Sequence, residues 1–434
     1  MSHSRIFKKV DGSICAPRGF KAAAVFCDIK RLGTGKGSEK GRKRDLALIV
    51  SDAPAAVAGM FTTNQVCAAP VSLSAQRAAQ SFAKAIVANS GNANACTGRQ
   101  GIRDAKRMSQ MAARALGLKA SDILVCSTGR IGVLMPMKNV ERGIRECAQS
   151  LARSAANGRQ AAEAIMTTDT RRKEIAVEIK IGRSVARIGG ICKGAGMIQP
   201  RMAAGHATML TFITTDVAIA PHVLKRALRV AVEQSFNRIT VDGDMSTNDS
   251  VIMLANGLAG NPRIDSRDSR LRVFQAALNF ICLELAKMIV RDGEGVSRFV
   301  SLHVCGARNA AEAEAAARTI AGSSLVRASW CGGDPNWGRV LCALGYSKAK
   351  VNEAVVDVGY ARPGSRRILF AFRSGRPRKV ALKTLAKITV APEFDLHVNL
   401  HLGRAAFTMW ASDLTEEYVA FNKGDVSNPA TLGG

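Results

Sequence analysis

Lys193-Gly194-Ala195-Gly196-Met197-Ile198-Gln199-Pro200, followed shortly by Ala207-Thr208-Met209-Leu210, joins a glycine-punctuated loop to an apolar run over 209–216. The run reads as a buried strand, and the glycines before it mark a loop. A threonine at the mouth of a strand, beside a small residue and behind a loop, suits self-cleavage. Cutting the Ala207–Thr208 bond would leave a threonine whose own α-amine, with a pKa of roughly 8, could serve as a base near neutral pH. By itself the tetrapeptide fits an ordinary strand-start threonine better, so the rest of the chain has to decide.

Composition narrows the class. A chain of 434 residues with 47% hydrophobic content can bury one large core or two packed domains. No apolar run is read as reaching the ~20 residues of a membrane span. The first ten residues, Met1 to Val10, lack the apolar stretch of a secretory signal, so a cytoplasmic protein is expected. Eleven cysteines contain no Cys-x-x-Cys pair; Cys282 and Cys342 sit in apolar contexts and read as small hydrophobes in a reducing compartment. No metal site is expected. The net charge of +28 would suit nucleic acid, but the basic residues are scattered. Their densest stretches, 36–44 and 362–379, carry almost no aromatic rings for base stacking, which argues against a nucleic-acid partner.

Helix-like and strand-like patterns alternate, which places the chain in a mixed α/β class. Strands are expected over 46–50 and 85–88, the second ending at Asn89-Ser90-Gly91-Asn92, and over 123–127, delivering Thr128-Gly129 at its end. A helix over 101–116 stops at Gly117. Residues 139–167 read as helical with a break at Asn157-Gly158. Residues 173–191 form a hairpin about Gly182-Arg183, with Ile175, Val177, Ile179 and Ile181 on one face. Further helices are expected over 221–236, 271–290 and 309–321. The alternation over 393–402 puts Phe394, Leu396, Val398, Leu400 and Leu402 on a buried face, and Asp395, His397, Asn399 and His401 on a solvated one. His397 and His401 are read as surface residues and not as a metal pair.

Several motifs occur in a telling order: Ser127-Thr128-Gly129-Arg130-Ile131-Gly132, Ile165-Met166-Thr167-Thr168-Asp169-Thr170, the glycine loop at 193–198, Thr240-Val241-Asp242-Gly243-Asp244-Met245-Ser246-Thr247-Asn248-Asp249, Arg291-Asp292-Gly293-Glu294-Gly295 and Gly333-Asp334-Pro335-Asn336-Trp337-Gly338-Arg339. In this order, from about Ala16 to Asn422, the chain resembles the ornithine acetyltransferases, the bifunctional glutamate N-acetyltransferases of arginine synthesis.

The resemblance implies a layered α/β fold of the N-terminal-nucleophile type, shared with certain aminopeptidases. It implies self-cleavage at Ala207–Thr208 into an α fragment (1–207) and a β fragment (208–434), with a smaller C-terminal α/β domain over roughly 295–410 and an α2β2 assembly. Thr208 would be the nucleophile, and the Thr128 hydroxyl and Gly129 N–H would stabilise the oxyanion. Substrate contacts would fall on Thr167, Lys193, Thr208, Glu294, Asn422 and Ser427. The reaction implied moves acetyl from N-acetylornithine to glutamate through an acetyl-threonine. No cofactor is implied, though acetyl-CoA stands as a second acetyl donor. Thr168 beside Thr167 leaves open which of the two points inward. Asp242-Gly243-Asp244 suits either a magnesium site or a hydrogen-bonded turn, and no catalytic role is assigned to it.

Two departures stand out. Seven residues, Arg201 to Ala207, separate Pro200 from Thr208, four more than the family pattern. After Asn422 the tail runs Lys423-Gly424-Asp425-Val426. Two rival readings stay in view: an amidohydrolase or aminopeptidase using the same threonine with water as acceptor, and an uncleaved, decayed relative that binds acidic partners through its charge.

Overall fold

One strand of 17 residues, Leu46–Thr62, organises the molecule. The sequence pattern suggested only its first five residues, because Asp52 and Pro54 interrupt the apolar run. The chain passes through them by shifting register against its neighbour between Val50 and Ala55, as expected where a proline cannot donate to the ladder. The computed structural model describes residues 7–30, 43–203 and 209–423. In chain order its strands are β1 (Phe7–Val10), β2 (Phe20–Val25), β3 (Leu46–Thr62), β4 (Phe82–Asn92), β5 (Ile123–Arg130), β6 (Lys173–Ile181), β7 (Ser184–Lys193), β8 (Met202–Ala203), β9 (Leu210–Thr215), β10 (Ile239–Thr240), β11 (Ser250–Ala255), β12 (Phe299–Ala307), β13 (Asp357–Ala361), β14 (Leu369–Arg373), β15 (Arg376–Pro377), β16 (Glu393–Asn399) and β17 (Ala405–Ser412).

The first sheet has the order β1-β6-β7-β9-β11-β3-β4-β5, with β2 and β8 also pairing with β3. Its core residues fall into three clusters that describe layers. Residues of β6, β7, β9 and β11 pack against helices Pro221–Glu233 and Leu271–Arg291. The opposite side chains of β7, β9 and β11 meet those of β2, β3, β4 and β5 in a central cluster. The outer side of β4 and β5 is covered by helices Gly98–Leu116 and Met137–Gln149. The two halves of this one sheet face each other across the central cluster with helices on both outer sides, the layered α/β arrangement expected.

Helix Leu271–Arg291 is long and apolar enough to cross a membrane by length and composition, although Gln275, Glu284 and Lys287 interrupt its apolar run. Here one stripe of it, including Phe274, Leu278, Ile281 and Leu285, is buried against the sheet. It sits close because Gly190 lacks a side chain: a Cβ there would meet Leu285 Cδ1 at 2.9 Å.

The second sheet has the order β10-β17-β12-β16-β13-β14-β15. Its core, including Trp330, Tyr360 and Phe394, lies under helices Ala310–Gly322, Ser324–Cys331, Trp337–Gly345 and Leu382–Thr389. Two local expectations need correction. The helical stretch after 139 breaks at 150–154, not at Asn157-Gly158. Ser154 caps the second helix, Ala155–Ala164, by accepting the Asn157 N–H, so Asn157 lies inside it. Cys282 is buried as expected, but Cys342 is exposed on the outer side of its helix.

Candidate active site

The residues expected to form the oxyanion site, Thr128 and Gly129, sit in a close parallel pairing. β5 runs beside β4 with Gly129 opposite Gly91. Gly129 has φ +129°, and a Cβ on it would lie 2.4 Å from the Gly91 carbonyl carbon. Glycine is therefore required there for both conformation and space. Asn248 holds this strand end in place, donating to the carbonyls of Ala93 (2.6 Å) and Ser127 (2.8 Å).

Thr128 is buried, and Lys193 Nζ donates to its Oγ1 at 3.3 Å. An ammonium can only donate, so the threonine oxygen must accept, and its O–H is left to donate elsewhere. This is the polarity an oxyanion donor needs. Burial pushes the Lys193 amine below its ordinary value, partly opposed by Asp169, Asp249 and Glu294.

Lys193 ends β7 and pairs with Leu210 at the start of β9. The Met209 carbonyl accepts the Ser250 N–H at 2.6 Å. The sheet thus brings Met209, the residue after the expected nucleophile, to the strand end that carries Lys193. Ala207, Thr208 and Ser427 themselves lie outside the described residues. Of the seven residues between Pro200 and Thr208, Met202 is anchored: Asn237 accepts its N–H at 2.7 Å and donates to its carbonyl at 2.8 Å.

Three segments that carry expected substrate residues converge on a buried ionic triad that sequence reasoning did not assign. Lys173 Nζ donates to Asp169 Oδ1 at 2.6 Å and to Asp292 Oδ2 at 2.5 Å. Asp169 also accepts the N–H of Thr167 (2.9 Å) and of Gly194 (2.7 Å). Asp292 accepts the N–H of Thr170 (3.1 Å) and the Thr170 hydroxyl. One cation and two carboxylates thereby fix the Thr167 turn, the Lys193 loop and the Glu294 turn relative to one another. Burial alone would raise the Asp169 carboxyl. The Lys173 and Lys193 ammoniums and the Gly194 N–H outweigh it and hold the group at about 2. Thr167 is half-buried and Thr168 exposed.

Glu294 is half-buried and accepts from Asn422 Nδ2 at 2.9 Å. Its carboxylate sits where a Cβ on Gly196 would lie, only 2.5 Å away, so the loop glycine makes room for the acid. The Thr415 hydroxyl donates to the Gly295 carbonyl at 2.7 Å and tethers helix Glu416–Asn422 to this turn. Thr128, Gly129, Thr167, Lys193, Glu294 and Asn422 are thus linked through one set of contacts.

Asp242 accepts the N–H groups of Met197 (2.5 Å), Ile198 (2.8 Å) and Asp244 (3.1 Å), and burial raises its carboxyl to about 6. The acidic cluster is a hydrogen-bonded turn that clamps the glycine loop. Asp249, the last residue of the same motif, is buried, and its Oδ1 has no hydrogen-bond partner among the described residues. Burial raises its carboxyl well above the usual range, opposed by Lys193. Its signal in the sequence was its place one residue before the buried run 250–255.

The ArgJ family model matches residues 22–424 of the chain. The chain is 47% identical over 411 residues to the arginine biosynthesis bifunctional protein ArgJ of Symbiobacterium thermophilum, covering 95% of this chain and 98% of that one. It is 43% identical over 412 residues to the protein of the same name from Dehalococcoides mccartyi, covering 95% and 96%. Among solved structures, it is similar to the ornithine acetyltransferase of Mycobacterium tuberculosis complexed with ornithine. That match has 35% identity and a TM-score of 0.41, and covers 45% of this chain and 100% of that one.

Proposed function

This chain belongs to the ArgJ family and is an acetyltransferase of arginine biosynthesis, and we propose that it carries acetyl from N-acetylornithine to glutamate on Thr208. The observation that carries this reading is the buried Lys193–Thr128 contact at the strand end paired with Leu210, two residues beyond Thr208. A donor-only cation there turns the Thr128 hydroxyl into an oxyanion donor and adds positive charge beside the developing alkoxide. Such preorganised donors are each worth about 3 kcal/mol in a dry site.

Maturation comes first. The Thr208 hydroxyl attacks the Ala207 carbonyl, the C–N bond breaks, and the chain passes from amide to ester. Water then hydrolyses the ester, leaving residues 1–207 with a free carboxylate and Thr208 with a free amine and hydroxyl. In the transfer, Thr208 Oγ attacks the acetyl carbonyl while the Thr208 amine takes the hydroxyl proton. The tetrahedral oxyanion is held by Thr128 and Gly129. Collapse expels ornithine, whose amine receives that proton. Glutamate then attacks the acetyl-threonine by the same steps in reverse. Lys193 suits the substrate carboxylate and Glu294 the cationic ornithine chain. The α and β fragments stay together, and we propose an α2β2 assembly.

Denaturing mass spectrometry with N-terminal sequencing tests maturation: a fragment beginning Thr208-Met209-Leu210 is expected, and Thr208→Ala should stay whole. An uncleaved wild-type chain would overturn the reading. Acetyl transfer from N-acetylornithine to glutamate, measured against simple hydrolysis and against acetyl-CoA as donor, then separates the transferase from a hydrolase on the same fold.

A further inference from the structure

The sequence pattern paired His397 with His401. The structure separates them: β16 ends at Asn399, and His401, at φ +51°, turns to place Nε2 2.8 Å from Asp357 Oδ2. His397 instead lies opposite His303 across the parallel β12–β16 pair. Their rings stack with centroids 4.8 Å apart and planes at 22°. Asp395, two residues before His397, shares its face of the sheet. One ligand atom from each of His303, Asp395 and His397 lies within 4.8 Å of the others.

We propose that His303, Asp395 and His397 form a binding site for one borderline divalent transition-metal ion, of which zinc(II) is the representative. His303 stands one strand spacing, roughly 4.8 Å, across from His397, and Asp395 lies two residues, roughly 6.7 Å, along β16; the side chains lean together enough to bring one ligand atom of each within 4.8 Å of the others. A tetrahedral zinc with bonds of about 2.0–2.1 Å needs its ligands about 3.3 Å apart, which side-chain rotation alone can supply. The surroundings suit metal better than water. The His397 Nε2 atom is buried and has no hydrogen-bond partner among the described residues. His303 Nδ1 is 3.1 Å from Thr408 Oγ1. With Nδ1–H donating there, Nε2 keeps its lone pair, the orientation a second-shell partner imposes on a ligating imidazole. Asp395 is 6% exposed, and one of its oxygens accepts the Gly364 N–H at 2.8 Å, which draws the 362–368 loop over the site.

The donor set is two imidazoles and one carboxylate. Lys287 faces His303 from helix Leu271–Arg291, and only one carboxylate is present. That donor set disfavours calcium and magnesium, which want several oxygens, and favours zinc or its neighbours. Three protein ligands on a half-exposed face leave a position for water. The ion would tie β12, β16 and the 362–368 loop together, on a different sheet from Thr128 and Lys193.

The test uses the full-length protein stripped with chelator and titrated with zinc(II) by calorimetry, then with cobalt(II) followed by visible absorption. One ion per chain is expected, with His303→Ala and His397→Ala each weakening binding by about 100-fold and abolishing the cobalt band. Cys305, exposed two residues beyond His303 on the same strand, is the competing donor, and Cys305→Ser should leave both signals unchanged. Failure to bind one ion, binding that survives the double histidine variant, or binding lost in Cys305→Ser would each overturn the proposal. None of these readouts depends on Thr208 chemistry.

Discussion

Replacing Lys173 by methionine would remove the one cation shared by Asp169 and Asp292. All three side chains are at most 1% exposed, so the loss strands two carboxylates in the interior. Removing one partner of a buried pair typically costs about 3–5 kcal/mol, and a cation serving two acids belongs at the upper end. For a chain of 434 residues an unfolding entropy of roughly 2.1 cal/mol/K per residue makes 1 kcal/mol worth about 1 °C, so a fall of roughly 4–5 °C is expected. The pH dependence gives the sharper test. Asp169 sits at about 2 when folded against roughly 3.9 when unfolded. Its contribution is therefore fully present above about pH 4 and lost as pH falls toward 2. Without Lys173, burial weighs more heavily on the Asp169 carboxyl and raises it, so the variant's deficit should shrink as it protonates. Urea unfolding of both proteins at pH 8 and pH 5 measures this. A deficit under about 1 kcal/mol, or one equal at the two pH values, would refute the ionic account. The variant should also show a raised KM, because Asp169 carries the Thr167 and Gly194 amides.

Gly129→Ala places a Cβ 2.4 Å from the Gly91 carbonyl carbon at φ +129°. A loss of about 10²–10³ in kcat is expected in steady-state acetyl transfer, and near-wild-type kcat would remove Gly129 from the oxyanion role. Asp249→Asn tests a carboxyl raised by burial. A group raised on folding weakens the folded state as pH rises from its unfolded value toward its folded one, so the variant should match wild type near pH 4 and exceed it at pH 8. Equal stabilities at both pH values would contradict the assignment. Asn422→Ala deletes the exposed hydrogen bond to Glu294. That bond is worth about 0.5–1.5 kcal/mol, so ornithine-side KM should rise by several-fold with Tm unchanged; a fall in Tm without a change in KM would make the contact structural.

Local chemistry by itself determined much of the chain. The hairpin about Gly182-Arg183 is present, with Ile181 opposite Ser184, because a two-residue turn and a period of two leave little freedom. The strand that carries Thr128, the helix ending at Gly117 and the apolar helix before Asp292 were legible for the same reason: each rests on a periodicity and a stop signal held within a few residues. The motif order, through the resemblance, also grouped Thr128, Gly129, Lys193 and Glu294 as expected site residues. Only the tertiary structure decided what holds them together. Asp169, Lys173 and Asp292 span 123 positions from first to last, and no local pattern marks a lysine as buried between two acids. Even so, Lys173 shares the parity of Ile175 and Val177, which are both buried. Long-range pairing likewise carried β3 past its proline and set His303, 94 residues away in sequence, against His397. Burial, register and charge balance belong to the folded ensemble of contacts, and those exist only once distant strands have met.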